Sequence, residues 1–468
     1  MQISIKAGRI LTLNREFDVI KNGIVTIDDD KISYVGNDEG MFDKSSDYAF
    51  DWSNRILTPG FVNGHAHLGI TSLRGLVEDL PLFDWLIHGV APYEVAMNYE
   101  DSLIANYLGC CELIDSGITC VAEFNGGCSS ISQVIEKTGL RAALNYVFMD
   151  KFFDEEENSN IDIKQTIRSI KHLKEKADRR ITWTVGPHAP YSCSEDLMSA
   201  CSKIASDLDV GIHFHLSESI DEVEWAKKKW GMSPVKKVDE LGLLNDKTIA
   251  VHCVHLSNED MELLSQRKVT VVHCPTSNAK LGNGVAPVRE MMNRDINVCL
   301  GTDSAVSNNN LSIFKEMTLA SLLQNVRYGK AGVISPAETI RMATLSGARC
   351  IGLQNQIGSI EVGKKADLIT IDMGKVHLSP LNDVYSSIVY STIASDVDSV
   401  IIDGKVVKDG RILTVDSEKI VSLAEKSAER IRESKQKMPS ANRGACLTQN
   451  LLNCLKRVGI KSRKNLFS

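Results

Sequence analysis

His65 and His67 stand one residue apart in "LTPGFVNGHAHLGITSLRG", where an apolar run meets glycines. In an extended chain residues i and i+2 leave the same face, so the two imidazoles would emerge together and could offer two ligands to one metal ion. A hydrogen-bonded polar pair at a strand end would have the same spacing, so the other histidines must decide. Eleven are present, and eight of them, His65, His67, His188, His213, His215, His252, His255 and His273, fall at or near the carboxyl ends of strand-like runs. Asp303 in "CLGTDS" ends the last such run and adds a carboxylate. Neutral imidazoles with a carboxylate suit zinc or a similar divalent transition ion, and a catalytic site of that kind keeps a position open for water. The expected ligands are therefore His65, His67, His215 and Asp303. His213 has the strand parity of His215 but lies one pleat deeper, and is expected in the core or behind a ligand. His255 and His273 are expected as hydrogen-bonded histidines beneath the site.

Three further side chains have types and positions suited to chemistry. Glu218 follows His215 by three residues in "HLSES". It is close enough to exchange a proton with a metal-activated water, although a loop glutamate could also be solvent-facing. His252 in "VHCVHL" would stand beside the metal and polarise or orient a substrate, and His188 in "GPHAPYSC" could hydrogen-bond its ring or hydroxyls. Trp85, inside "EDLPLFDWLIHGVAPYE", is either an apolar pocket wall in a lid or a tryptophan packed in a helix interface.

These groups need elements that bring them together. Eight runs read as strands: "ILTPGFVNGHAH", "ITCVAEF", "RAALNYVFM", "ITWTVGPHAP", "VGIHFHLSE", "TIAVHCVHL", "VTVVHCPTSN" and "INVCLGTDS". Stretches such as "EDLMSACSKIASDL", with apolar residues three and four apart, separate them as helices. That alternation predicts an α/β fold with a (β/α)8 barrel, whose active-site face lies at the carboxyl ends of the strands. An open doubly wound sheet is the alternative, but no G-x-G-x-x-G follows the first strand. Both chain ends carry short alternating strands, and they are expected to pair as one small β domain.

Bulk properties exclude other classes. The 468 residues, 43% hydrophobic and 24% charged, describe a globular chain with a large core. A net charge of −7 gives no reason to expect nucleic acid or a membrane surface as a partner, although residues from Ile431 onward hold nine Lys/Arg against one Glu. No run is long enough to span a bilayer and the start has no signal-like block, so a cytoplasmic location is expected. The twelve cysteines form no C-x-x-C pair; Cys253, Cys274 and Cys299 lie in apolar runs as small buried residues.

The motifs "GFVNGHAHLGITSLRG", "DLPLFDWL", "GPHAPYSCS", "HFHLSES", "HCPTSNAKLGNG", "LGTDSAVSNN" and "GKKADLITID" together resemble the amidohydrolase superfamily. Within it they are most similar to the methylthioadenosine/S-adenosylhomocysteine deaminase and chlorohydrolase branch. The resemblance implies a distorted (β/α)8 barrel over residues 59–358, a small β-sandwich from residues 1–58 and 359–415, and a C-terminal helix and basic tail over 416–468. It places one divalent ion, zinc with ferrous iron as the alternative, on His65, His67, His215 and Asp303. Glu218, His252 and Asp303 become the catalytic groups, and Trp85, His188 and Glu218 the substrate contacts. Binuclear branches use a lysine at the end of the fourth strand, where this chain has "VGPHAP".

The implied reaction is hydrolytic deamination of an amino-substituted N-heterocycle by a metal-activated hydroxide, releasing ammonia. Methylthioadenosine, adenosine, another aminopurine or an aminopterin would be the small-molecule substrate. A triazine chlorohydrolase or aminohydrolase is the rival enzyme, and a non-catalytic scaffold the rival from another class. Homo-oligomerisation is expected from the resemblance alone. Relatives that take S-adenosylhomocysteine can hold its carboxylate with arginines after the third strand, whereas "MDKFFDEEEN" offers one lysine against five acidic residues. Neutral substrates are expected, unless an arginine from elsewhere, such as Arg74 or Arg141, reaches the pocket.

Overall fold

A computed structural model of the chain describes residues 1–125, 128–151 and 163–438. It opens with four strands, β1 (Gln2–Leu11), β2 (Val19–Asp28), β3 (Lys31–Asn37) and β4 (Tyr48–Pro59). Then comes the parallel set: β5 (Phe61–His67), β6 (Ile118–Asn125), β7 (Arg141–Phe148), β8 (Ile181–Pro187), β9 (Gly211–Leu216), β10 (Thr248–His252), β11 (Thr270–His273), β12 (Asn297–Leu300) and β13 (Asp303–Ser304). The chain closes with β14 (Leu368–Asp372), β15 (Val397–Ile402), β16 (Lys405–Asp409), β17 (Arg411–Ile412) and a helix over Ser417–Lys437.

Strands β5 to β12 lie side by side in chain order, and β13 pairs with β5. The eighth run therefore breaks at Gly301–Thr302: β12 pairs with β11 and its continuation meets the first strand, which curls the sheet into a distorted (β/α)8 barrel. Asn63 pins this seam. Its amide donates to Thr302 Oγ1 at 2.7 Å and accepts from the Thr302 backbone N–H at 3.0 Å. β5 is buried almost throughout and β10 and β11 entirely, as expected of strands covered on both faces.

The remaining strands form a mixed sheet from both chain ends in the order β17-β16-β15-β14-β4-β1-β2-β3. Its outer strand β3 folds back onto the segment before β14, with Ile32 exchanging backbone hydrogen bonds with Gly363 and Lys364. Ile3, Ile5, Val25, Ile27, Trp52, Leu57 and Leu368 fill a separate small core. The run "ILTPGFVNGHAH" crosses from this sheet into the barrel at Gly60, where a Cβ would lie 2.2 Å from Thr119. Only glycine allows that approach.

A buried ion network ties the two units. Arg141, at the start of β7, donates twice to Asp367 (2.7 and 3.0 Å) and once to Asp403 at 3.1 Å. Arg179 also reaches Asp403, and Lys365 pairs with Asp30 and Asp403. The C-terminal helix docks through Arg430 and Ser427 onto Asp101, which also caps the helix Tyr99–Asp115. The basic tail beyond Met438, with its run "LTQNLLNCLKRVGI", lies outside the described residues. Among the described residues nine cysteines are free and buried, and no described helix is long and apolar enough to cross a membrane.

Candidate metal centre and active site

The alternation of β5 sends His65 and His67 to one side, and the alternation of β9 does the same for His213 and His215. The four rings meet inside the mouth of the barrel. His65 Nε2 lies 3.0 Å from His67 Nε2 and 3.2 Å from His215 Nε2. Asp303, from β13, brings Oδ1 to 3.5 Å from His65 Nε2 and 3.3 Å from His67 Nε2. Two acceptors and two hydroxyls orient the set. His215 Nδ1 donates to the His188 backbone carbonyl at 2.8 Å, and His65 Nδ1 lies 3.0 Å from His213 Nε2. Ser277 and Ser307 donate to Asp303 Oδ2 at 2.6 and 2.8 Å, which leaves Oδ1 for the histidines.

The protonation states agree with this geometry. Burial pushes His65 down to about 3 and holds His67 and His215 below the ordinary imidazole range, so all three rings are neutral near neutrality. Burial would raise the Asp303 carboxyl, but its hydrogen bond to His65 and the surrounding imidazoles hold it well below the carboxylate range. Carbonyl-bound Nδ1 on His215 leaves a bare lone pair on Nε2. Three Nε2 atoms gathered around His65 at 3.0–3.2 Å, beside a carboxylate, make a compact donor set of the kind that takes a cation. An ion with bonds of about 2.0–2.1 Å in tetrahedral array sets ligand edges of about 3.4 Å, so the donor set fits a zinc-like ion. The groups His65–His67–Asp303 and His65–His215–His252 each have their donor atoms within 4.8 Å of one another.

Glu218 and His252 line the same mouth. Glu218 is buried; Asn283 donates to its Oε1 at 3.0 Å, while Oε2 faces His252 Nε2 at 3.6 Å. Burial, then the charges of Asp303 and Glu222, raise its carboxyl well above the usual range. Glu222 holds the loop in place by accepting from the Ser217 and Glu218 backbone N–H groups at 3.0 and 2.8 Å. His252 Nδ1 lies 2.9 Å from Asn278 Oδ1, and an amide can serve either ring tautomer by a half-turn. The backbone is strained at the same rim: Ser217, His252, Cys253 and Asp303 have φ of 49°, 75°, 47° and 59°. Such left-handed conformations cost about 1–3 kcal/mol each for non-glycine residues and gather where side chains must be aimed.

Of the other candidates, His188 borders the cluster, its ring 4.8 Å from that of His215 and its Nδ1 2.8 Å from Ser192 Oγ. Trp85 opens a π-helical turn over Trp85–Val90 and packs in an apolar cluster with Leu73, Val90, Leu281 and Val306, its Nε1 buried without a partner. Leu281 and Val306 in that cluster follow β11 and β13, on the side of the barrel where the carboxyl ends of the strands lie. His255 bonds the Asn283 carbonyl at 2.7 Å, as a histidine beneath the site should. His273 is fully buried but neither ring nitrogen has a partner. Asn63, Ser277, Asn278, Asn283, Ser307 and Glu222 are the orienting residues that sequence reasoning passed over. The motif "HCPTSNAKLGNG" holds three of them and was the available signal. Arg74 is paired with Glu112, and Arg141 with Asp367 and Asp403. Most of the acidic stretch "MDKFFDEEEN" lies outside the described residues, and Asp150 instead binds Ser194.

Comparison with known proteins agrees with this layout. Residues 56–407 match the model of the amidohydrolase family. The 5-methylthioadenosine/S-adenosylhomocysteine deaminase of Thermoanaerobacter pseudethanolicus is 39% identical over 436 residues, covering 92% of this chain and 99% of that one. The 5'-deoxyadenosine deaminase of Methanosarcina acetivorans is 37% identical over 430 residues, covering 92% and 98%. Among solved structures, a zinc-bound adenosine deaminase from Xanthomonas campestris superposes with a TM-score of 0.87 at 31% identity, over 92% of this chain and 98% of that one. A zinc-bound atrazine chlorohydrolase from Arthrobacter aurescens, 22% identical with a TM-score of 0.83 over 91% and 100%, shares the fold. With the family model spanning most of its length, the chain belongs to the amidohydrolase family.

Proposed function

We propose that the chain is a metal-dependent deaminase of an adenosine-type nucleoside, with a neutral 5′ substituent preferred. The observation that carries this reading is the convergence of neutral imidazole nitrogens and the Asp303 carboxylate on one point, with Glu218 and His252 beside it. His65, His67, His215 and Asp303 would hold one divalent ion, zinc or ferrous iron. When bound, that ion supplies a water of lowered pKa and a Lewis acid. Relatives named as deaminases of adenine nucleosides support the substrate class.

The chain's own groups then have distinct work. Glu218, with a raised pKa and only Oε1 engaged by Asn283, can carry a proton between water, the purine ring nitrogen and the departing amine. His252, held through Asn278, would hydrogen-bond the adduct formed at the attacked carbon and steady it while the electron pair moves to the ring nitrogen. His188 is placed to bond the nucleoside, and the Trp85 cluster roofs the site against water. The pairing of Arg74 and Arg141 with carboxylates supports the preference for neutral substrates. The test is ammonia release from the zinc-loaded protein with 5′-deoxyadenosine, methylthioadenosine, adenosine, S-adenosylhomocysteine, an aminopterin and atrazine. Turnover of the nucleosides is expected; chloride release from atrazine without nucleoside turnover would overturn the reading.

A further inference from the structure

A second concave site lies at the opposite end of the barrel. It is a cavity of about 560 Å³ whose lining includes Arg15, Arg341, Arg349, Lys364, Glu361 and Gln354. Asn297, which opens β12, also lines it, whereas Asp303 lies beyond the carboxyl end of that strand. At about 3.3 Å per residue, roughly 20 Å of barrel separates the cavity from the histidine cluster. The lining comes from both units: Arg15 from the loop after β1, Arg341 and Arg349 from the helices Pro336–Ala343 and Leu345–Cys350, and Lys364 from the segment before β14.

Charge in this cavity is one-sided. Lys364 and Glu361 pair with each other at 3.2 Å, and Lys364 also donates to the Gln354 carbonyl at 2.9 Å, so those two charges cancel locally. Arg15, Arg341 and Arg349 have no carboxylate or other hydrogen-bond acceptor among the described residues; Arg341 is held over the Phe17 ring at 5.8 Å. Elsewhere, guanidiniums such as Arg55, Arg141, Arg289 and Arg430 each have a carboxylate. These three arginines are solvent-exposed, and around one concavity, in a chain of net charge −7, their guanidiniums present a fork geometry that matches phosphate oxygens.

We propose that this cavity binds a phosphate-bearing small molecule, such as a sugar phosphate, at a site separate from the catalytic mouth. The guanidiniums of Arg15, Arg341 and Arg349 take the phosphate. The test uses the full, zinc-loaded chain with ribose 5-phosphate, ribose and inorganic phosphate as probes, by calorimetry and thermal shift at ionic strength matched with sodium chloride. Saturable binding is expected for ribose 5-phosphate and for inorganic phosphate, and none for ribose. In R341Q/R349Q the affinity for ribose 5-phosphate should fall at least tenfold, with zinc content and nucleoside deamination unchanged. Arg411→Gln, a surface control on β17, should alter nothing. The proposal is overturned if wild type shows no saturable binding, if R341Q/R349Q binds as well as wild type, as it would were the phosphate seated at the metal centre, or if R411Q weakens binding equally.

Discussion

Two buried polar clusters sit at opposite ends of the barrel, and they are built on opposite principles. At the junction with the mixed sheet, Arg141, Asp367, Asp403, Arg179, Lys365 and Asp30 answer charge with charge. At the catalytic mouth, the orienting hydrogen bonds are complete on the outer atoms, while the inner atoms of His65, His67, His215 and Asp303 face one another without a counter-charge. The first cluster is closed by the protein itself, and the second is closed only by something added. A buried network with every partner supplied holds domains together; one with its partners supplied on one side alone marks a site.

The largest expected effect attacks the open cluster. His65→Ala or Asp303→Ala should abolish deamination with loss of bound metal, read by elemental analysis beside turnover; a variant with full metal and normal rate would remove that residue from the ligand set. Next comes the closed cluster. Arg141→Met leaves Asp367 and Asp403 buried without their main partner and should cost about 3 kcal/mol of stability, measured by chemical denaturation. Turnover of the molecules that remain folded should be intact. Burial would raise the Asp403 carboxyl, but Arg141 holds it below its ordinary value. That contribution is complete above the unfolded value of about 4 and is lost as pH falls through the folded one. The stability gap between wild type and variant should therefore narrow in acid, and a gap that widens would mean the network does not work this way.

Glu218→Gln separates proton transfer from metal binding. It keeps shape and should keep metal, but turnover should drop by about 10² or more; near-normal turnover would refute the role. A smaller effect concerns the substrate's tail. Methylthioadenosine or 5′-deoxyadenosine should have a higher kcat/KM than S-adenosylhomocysteine at low ionic strength, with salt narrowing the difference. A clear preference for S-adenosylhomocysteine would point to a cation within "MDKFFDEEEN", where Lys151 is the candidate. The smallest effect is expected from ending the chain at Met438. The helix Ser417–Lys437 keeps its Arg430–Asp101 contact in that truncation, so activity should be unchanged; a soluble, inactive truncation would assign the tail a role.

Much of this was legible in the order of residues. The runs from "ITCVAEF" to "VTVVHCPTSN" became β6 to β11 because buried parallel strands are written as short β-branched runs, and i, i+2 spacing put His65 and His67 on one face. What could not be read was where continuous runs change sheet. "ILTPGFVNGHAH" is one apolar stretch but two strands in two sheets, and periodicity does not say which neighbours a buried strand will have. The orienting residues escaped for a related reason. Asn63 and Thr302 are 239 residues apart, and an asparagine or serine announces no role until its partner is in place.

The Asn63–Thr302 seam also sets an order of events. His65 and His67 directly follow one side of it and Asp303 the other, so the ring of strands closes and the proposed ligand set becomes complete in the same step. Contacts of such long sequence separation form late, after the entropy of closing the intervening loop has been met. A chain emerging from the ribosome therefore holds a partial set of imidazoles for most of its synthesis, and full grip on an ion arrives with the native topology rather than ahead of it. On the proposed ligand set, metal loading would report on barrel closure, and a stalled or truncated chain that lacks the last strand would be unable to retain an ion there.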